Sequence, residues 1–239
     1  MKDRAPARFG LDNLGSVLLE AVDRAAVTRW DGARRRAAAA PGATTEERAR
    51  AVTRTFAREL AVAGAATGGA AAVPGVGTAT AMAATAADLG WFTLRIADLI
   101  LTVAALHGHD RASVEERRAW ILSVLAFGEG SAAGFARMAG EMGHDLGRKA
   151  VSRIPASALR AINRKLGRSL LARFGTRRGS VTLGRMLPFG IGAAVGGSAN
   201  YMSVQAIGRH AESFFGSLPY GLPPAATSGS GGEEPRAGR

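Results

Sequence analysis

The sequence predicts an all-α fold: a helical bundle built from two Ala/Gly-rich helical hairpins with flanking basic amphipathic helices. Three observations carry this. Apolar residues recur every three or four positions in several segments, the spacing of one helix face. Two runs, Leu60–Ala87 and Met186–Gly208, carry no charge, and each contains a proline followed by Gly-x-Gly. No strand period of any length appears, apart from a short extended piece expected near 181–183.

The first helix is predicted from Leu11, Leu14, Leu18, Val22 and Ala25, ending near Arg34-Arg35-Arg36, with Pro41-Gly42 breaking the chain. Thr44 and Glu47 have the spacing of a capping box, in which each side chain satisfies a free N–H at a helix start. Ala49, Val52, Phe56 and Leu60 then form an apolar stripe, with Arg48, Arg50, Arg54 and Arg58 on other faces. Such a helix either docks on a core or lies on a membrane surface.

Leu60 to Val73 is 14 residues, roughly 21 Å of helix at 1.5 Å per residue. That is short of a hydrocarbon core of about 30 Å. After Pro74-Gly75-Val76-Gly77, Thr78 to Leu106 reads as one helix of 29 residues, with Gly108 as its C-cap. Ser113 and Glu116 form a second capping box, opening a helix that "GEGSAAG" breaks at 128–134. Residues 135–153 are helical but weakly patterned. Leu159, Ile162, Leu166, Leu170 and Phe174 make a clean stripe, followed by an expected loop at 175–180. The Gly-x-Gly pairs 75/77 and 190/192 lie 115 residues apart, which suggests two related hairpins. From 217 onward, Pro, Gly and Ser without an apolar pattern predict a disordered tail.

The 239 residues suffice for a real core, and with 6% aromatics that core is expected to be built from small side chains. Cysteine is absent, which excludes disulfides and thiolate metal sites. The N-terminus has no apolar stretch behind its basic residues and does not read as a secretory signal. The net charge of +12 is uneven: residues 131–187 hold 12 basic and 2 acidic side chains. A field of that size favours an anionic partner, phospholipid or nucleic acid.

Chemical motifs are sparse. "GAATGGAAAVPGVGTAT" lacks the lysine that a Walker loop needs, and no strand precedes it for a dinucleotide site. His107, His109 and Asp110 in "HGHD" are the sole candidate metal ligands, on a turn that polar residues explain without a metal. Ser198 in "GGSAN" has no evident base. Basic residues between 148 and 185 could meet phosphates, but Phe174 is the only aromatic among them, which speaks against single-stranded nucleic acid. Gly64, Gly68 and Gly69, and the Gly192/Gly196 pair, suit close helix packing in a membrane or in a tight soluble bundle. Asp88, Arg95 and Asp98 interrupt the apolar helix; Arg95 and Asp98, three apart, can pair. Charges there cost about 2.5–3.5 kcal/mol each in lipid, so this face is expected against other helices.

"PGVGTATAMAATAADLGWFTLRIADLILTVAALHGHD", "EERRAWILSVLAFGE" and "GRMLPFGIGAAVGGSANYMSVQAIGRHAESFF" resemble the EcsC protein family, over roughly residues 55–216. Pro74, Asp88, Arg95, Gly108, Asp110, Leu125, Gly128, Pro188, Gly192 and Asn200 stand at matching positions. His107 and His109 stand where the family usually has aromatics, which weakens the metal reading. The resemblance implies little about activity: the family is named for a gene beside an ABC transporter in some bacteria, and a membrane-associated role is its usual reading.

Together these give an N-terminal amphipathic helix and linker at 1–43, an EcsC-like helical domain at 44–216 and a tail at 217–239. The expected function is a non-enzymatic protein on the cytoplasmic face of a membrane, accessory to a transporter or to another membrane-surface process. Its partner would be anionic lipid or a membrane protein, with Arg148, Lys149, Arg160, Arg164, Lys165 and Arg168 meeting headgroups at about 1 kcal/mol each. Nucleic acid is disfavoured and no cofactor is expected. The alternatives are a soluble cytoplasmic scaffold, in which Asp88, Arg95 and Asn200 knit a buried polar cluster, and a metal-dependent enzyme using Asp88, His107, His109 and Asp110.

Overall fold

The structure, a computed structural model, describes residues 6–70, 78–141, 143, 154–181 and 191–218. Those residues are mostly helical, without a strand. The helices are α1 (Pro6–Thr28), α2 (Trp30–Ala39), α3 (Thr45–Ala70), α4 (Thr78–Leu106), α5 (Val114–Phe127), α6 (Ser131–Gly140), α7 (Ala156–Val181) and α8 (Ile191–Ser217). A 3-10 turn, Gly128–Gly130, separates α5 from α6.

Local chemistry sets the helix ends. Thr44 Oγ1 accepts from the Glu47 N–H at 3.2 Å, and Glu47 Oε2 accepts from the N–H of Ala43 at 2.8 Å. At the start of α5 the Glu116 N–H donates to Ser113 Oγ at 3.3 Å and the Ser113 N–H to Glu116 Oε2 at 2.7 Å. At the end of α4, Gly108 takes φ +78°, a backbone that side chains strain against. The Gly108 N–H donates to Ala105 and the His109 N–H to Ala104, a Schellman closure that satisfies two otherwise orphaned carbonyls. The Arg48 guanidinium donates to the carbonyls of Ala37 and Ala40 and so closes α2.

Three expected boundaries differ. The helix expected over 135–153 stops at Gly140, with turns at Glu141 and Gly143. The first helix bends at Arg29, where backbone bonds to Ala25 and from Ala33 persist; the bend turns Trp30 inward, 6.4 Å from Trp120. Residues 175–180, expected as a loop, continue α7 to Val181. Glycine and serine there suggested a turn, but a helix already running needs only one more bond per residue to extend. The pieces expected near 182–183, the hairpin tips around Pro74 and Pro188, and the tail beyond Leu218 lie outside the described residues.

α4 runs through the middle, packed by α1, α2, α3, α5 and α8. Ile96, Leu99, Ile100, Leu101 and Val103 have almost no exposed surface. α1 and α2 add Leu18, Val22, Ala25 and Trp30 to the same core, so these two helices pack with the helices that follow. The core is not all small residues. Trp120, Phe135, Phe214 and Phe215 gather in one corner, with Trp120 edge-on to Phe215 at 5.3 Å.

Small residues matter elsewhere, along α3 and α8, the most extensively packed pair. A Cβ on Gly197 would sit 3.1 Å from the Ala61 carbonyl oxygen, Asn200 Nδ2 donates to the Leu60 carbonyl at 3.1 Å, and Gly208 lies against Thr53. Positions rise on one helix as they fall on the other, so the two are antiparallel. α3 and α4 must be antiparallel too. Arg95 pairs with Glu59, and the seven residues linking the helices reach roughly 28 Å at most. A parallel arrangement would need about 42 Å at 1.5 Å per residue. α8 thus takes α3 as its partner, while α7 packs on α5.

Candidate functional site

The C-terminal part of α3, the first part of α4 and the first part of α8 therefore meet at one end of the bundle. Residues 60–70, 78–87 and 191–200 contain no charged side chain. At this end Val62 is 71% exposed and Trp91 40%. Met202, 70% exposed, lies outside it: Gly197 against Ala61 and Gly208 against Thr53 set it level with the middle of α3.

A charge network closes this region off from the rest of the molecule. Asp98 on α4 has no exposed side-chain surface. It accepts from Arg95 Nη1 at 2.7 Å and from both Arg36 Nη atoms at 3.3 and 3.4 Å. Arg95 also forks onto Glu59, at 2.8 Å through Nε and 2.5 Å through Nη2. The Arg95 guanidinium lies 4.7 Å from the Phe56 ring centre, and that of Arg36 lies 5.7 Å from it. Burial works against the Arg95 cation, but Glu59 and Asp98 outweigh it and raise its pKa. Two cations and two carboxylates satisfy each other here, which a buried charge requires.

The anticipated cluster of Asp88, Arg95 and Asn200 is redistributed. Asp88 is exposed, and Arg95 takes Asp98 and Glu59 as partners because they face it across α3 and along its own helix. Asn200 bonds the α3 backbone, where it ties the glycine seam. Sequence reasoning paired Arg95 with Asp98 but passed over Glu59 and Arg36. Glu59 carried a signal, as the last charge before the 28-residue charge-free run.

A model of the EcsC protein family matches residues 12–216. The chain belongs to the EcsC protein family. No curated protein and no solved structure matches it. The EcsC region starts well before residue 55, where the motif resemblance began, because α1 and α2 are part of its core. Several EcsC-like positions have a structural reason. Gly108 closes α4, Gly128 takes φ +60° at the end of α5, Arg95 holds the charge network and Asn200 ties α8 to α3. Pro74 and Pro188 lie outside the described residues.

The three candidate metal ligands diverge. Asp110 faces Arg34 at 3.8 Å across a cleft of about 480 Å³. His107 and His109 turn to the aromatic corner; His109 lies 5.3 Å from Trp120 and 5.4 Å from Phe215, ring to ring. Among the described residues no three His, Cys, Asp or Glu side chains come together as a metal site. Both ring nitrogens of His107 are buried without a hydrogen-bond partner among those residues. Burial pushes the pKa of both imidazoles down. Glu46 opposes the shift at His107; His107 adds to it at His109.

The basic residues of α7 separate into two kinds. Arg160, Arg164 and Arg168 are exposed and four apart, so they form one row on the outer face. Leu159, Ile162, Leu166 and Leu170 face inward. Lys165 is instead paired with Glu141 beyond the end of α6. Arg148 and Lys149 lie outside the described residues.

Proposed function

We propose that this EcsC protein is a non-enzymatic protein of the membrane surface, which docks through the charge-free end of its bundle. The observation that carries this is the meeting of three uncharged helix ends that expose Val62 and Trp91. Aliphatic and indole side chains gain about 25 cal/mol per Å² when they leave water, and Trp is favoured where hydrocarbon meets headgroups.

Docking of an end fits better than spanning. Two stretches, Ala86–Leu106 and Val114–Gly140, are long and apolar enough to cross a membrane. Yet 61% of the more hydropathic window, on α4, is buried in the bundle, and that helix carries Asp98 at its centre. Removing it into lipid would break the network. The cytoplasmic face is the proposed surface, where anionic lipids concentrate. An accessory role beside a membrane transporter is compatible with this placement and would be mediated by the same end.

The competing reading, a soluble helical scaffold, is favoured by the same burial of α4. Flotation of the full chain on liposomes separates the two. Docking predicts protein in the lipid fraction, and Val62→Asp with Trp91→Asp abolishes it. Protein absent from the lipid fraction for every vesicle composition contradicts docking and leaves the scaffold.

A further inference from the structure

We infer that the Arg160–Arg164–Arg168 row of α7 is a recognition surface for the phosphates of anionic phospholipids, graded in strength toward the docking end. The inference rests on the docking reading above and specifies its lipid.

The row has no partner of its own: among the described residues none of the three arginines makes an ion pair or hydrogen bond. Like charges four apart on a helix repel one another. Glu141, near the row, is already engaged by Lys165. An unneutralised row of guanidiniums calls for an external anion, and a phosphate is matched by the planar fork of arginine.

The direction of the row comes from glycine contacts. Gly15 of α1 lies against Leu171 and Gly167 against Leu19, so α1 and α7 run antiparallel. Val17 of α1 lies against Gly90 of α4, beside Trp91. α1 leads into α2, whose Arg36 meets Asp98 farther along α4, so α1 runs parallel to α4. The C-terminal half of α7 therefore rises toward the charge-free end, with Arg168 the nearest of the row and Arg160 the farthest. Eight residues of helix cover about 12 Å. Headgroups occupy only about 5–8 Å on each side of the hydrocarbon. α7 continues past Arg168 to Val181, so of this row Arg168 stands nearest the phosphates, Arg164 next and Arg160 farthest.

The chemistry could also suit nucleic acid, but a polyanion gives no reason for an apolar end beside the row, and a membrane does. The experiment is vesicle partitioning of the full chain on pure phosphatidylcholine and on phosphatidylcholine with phosphatidylglycerol, with an RNA duplex as a third probe. Wild type is expected to prefer the anionic vesicles. Arg168→Gln loses about five-fold in affinity for them, Arg164→Gln less, Arg160→Gln least, and Arg111→Gln at the far corner nothing. All variants keep the helical spectrum and melting point of wild type, since the row is exposed. Equal binding to both vesicles, or an unchanged preference in the triple variant, overturns this inference and leaves docking intact. Binding to neither vesicle overturns docking and the inference with it. RNA binding as tight as vesicle binding, and lost in the same variants, overturns it in favour of nucleic acid.

Discussion

Gly208 on α8 lies so close to Thr53 on α3 that a Cβ on the glycine would stand 2.3 Å from Thr53 Cγ2. Thr53 is 5% exposed and β-branched, so it has nowhere to turn. Gly208→Ala therefore destabilises the protein by about 1–3 kcal/mol through overpacking, although alanine is favoured over glycine in a helix by about 1 kcal/mol. Urea unfolding checks this. Adding Thr53→Ala removes the clash and restores much of the loss; if Gly208→Ala alone is as stable as wild type, the α3–α8 seam is looser than described.

Asp98 is the anchor of the charge network. Asp98→Ala leaves the Arg95 and Arg36 guanidiniums facing a void and costs about 3–5 kcal/mol, the range for breaking a buried pair from one side. Glu59→Gln, at the exposed edge, costs less than about 1 kcal/mol. The same unfolding series measures both, and equal losses from the two would contradict the ranking.

The imidazoles of His107 and His109 give stability a pH dependence. In the folded chain their pKa values lie below the ordinary 6.5 because of burial, so the unfolded chain takes up protons first as pH falls. Stability is full above about pH 6.5 and declines below it. His210, lowered by burial and Arg209, acts in the same sense. Glu212 and Asp23, raised by burial, titrate at lower pH and with the opposite slope. Melting temperatures at pH 7.5 should exceed those at pH 5.5, and His107→Gln should reduce the difference. A difference unchanged in that variant would contradict the assignment to His107.

Much of this architecture was legible locally. The capping boxes at Thr44 and Ser113, the 29 residues of α4 and its glycine closure each rest on side chains within a few positions of one another. The partner choice of α8 was not legible in this way. Two proline-tipped runs suggested that each helix pairs with its chain neighbour, whereas glycines at 197 and 208, one face of α8, fit α3. Nor could spacing alone find Glu59 and Arg36 as partners of the α4 charges, because those pairings cross 36 and 62 positions of chain. The aromatic corner was hidden for the same reason: Trp30, Trp120 and Phe215 come together only once three helices have packed.

The chain has no cysteine, so one can be placed at will. Val62→Cys carrying a polarity-sensitive fluorophore reports the charge-free end, and Ala38→Cys, beside the far end of α4, reports the opposite one. Docking predicts that anionic vesicles shift the emission at 62 to the blue and brighten it while the emission at 38 stays as in buffer. An unchanged spectrum at 62, or a shift at 38 alone, would contradict the proposal that this EcsC protein meets the membrane with its uncharged end.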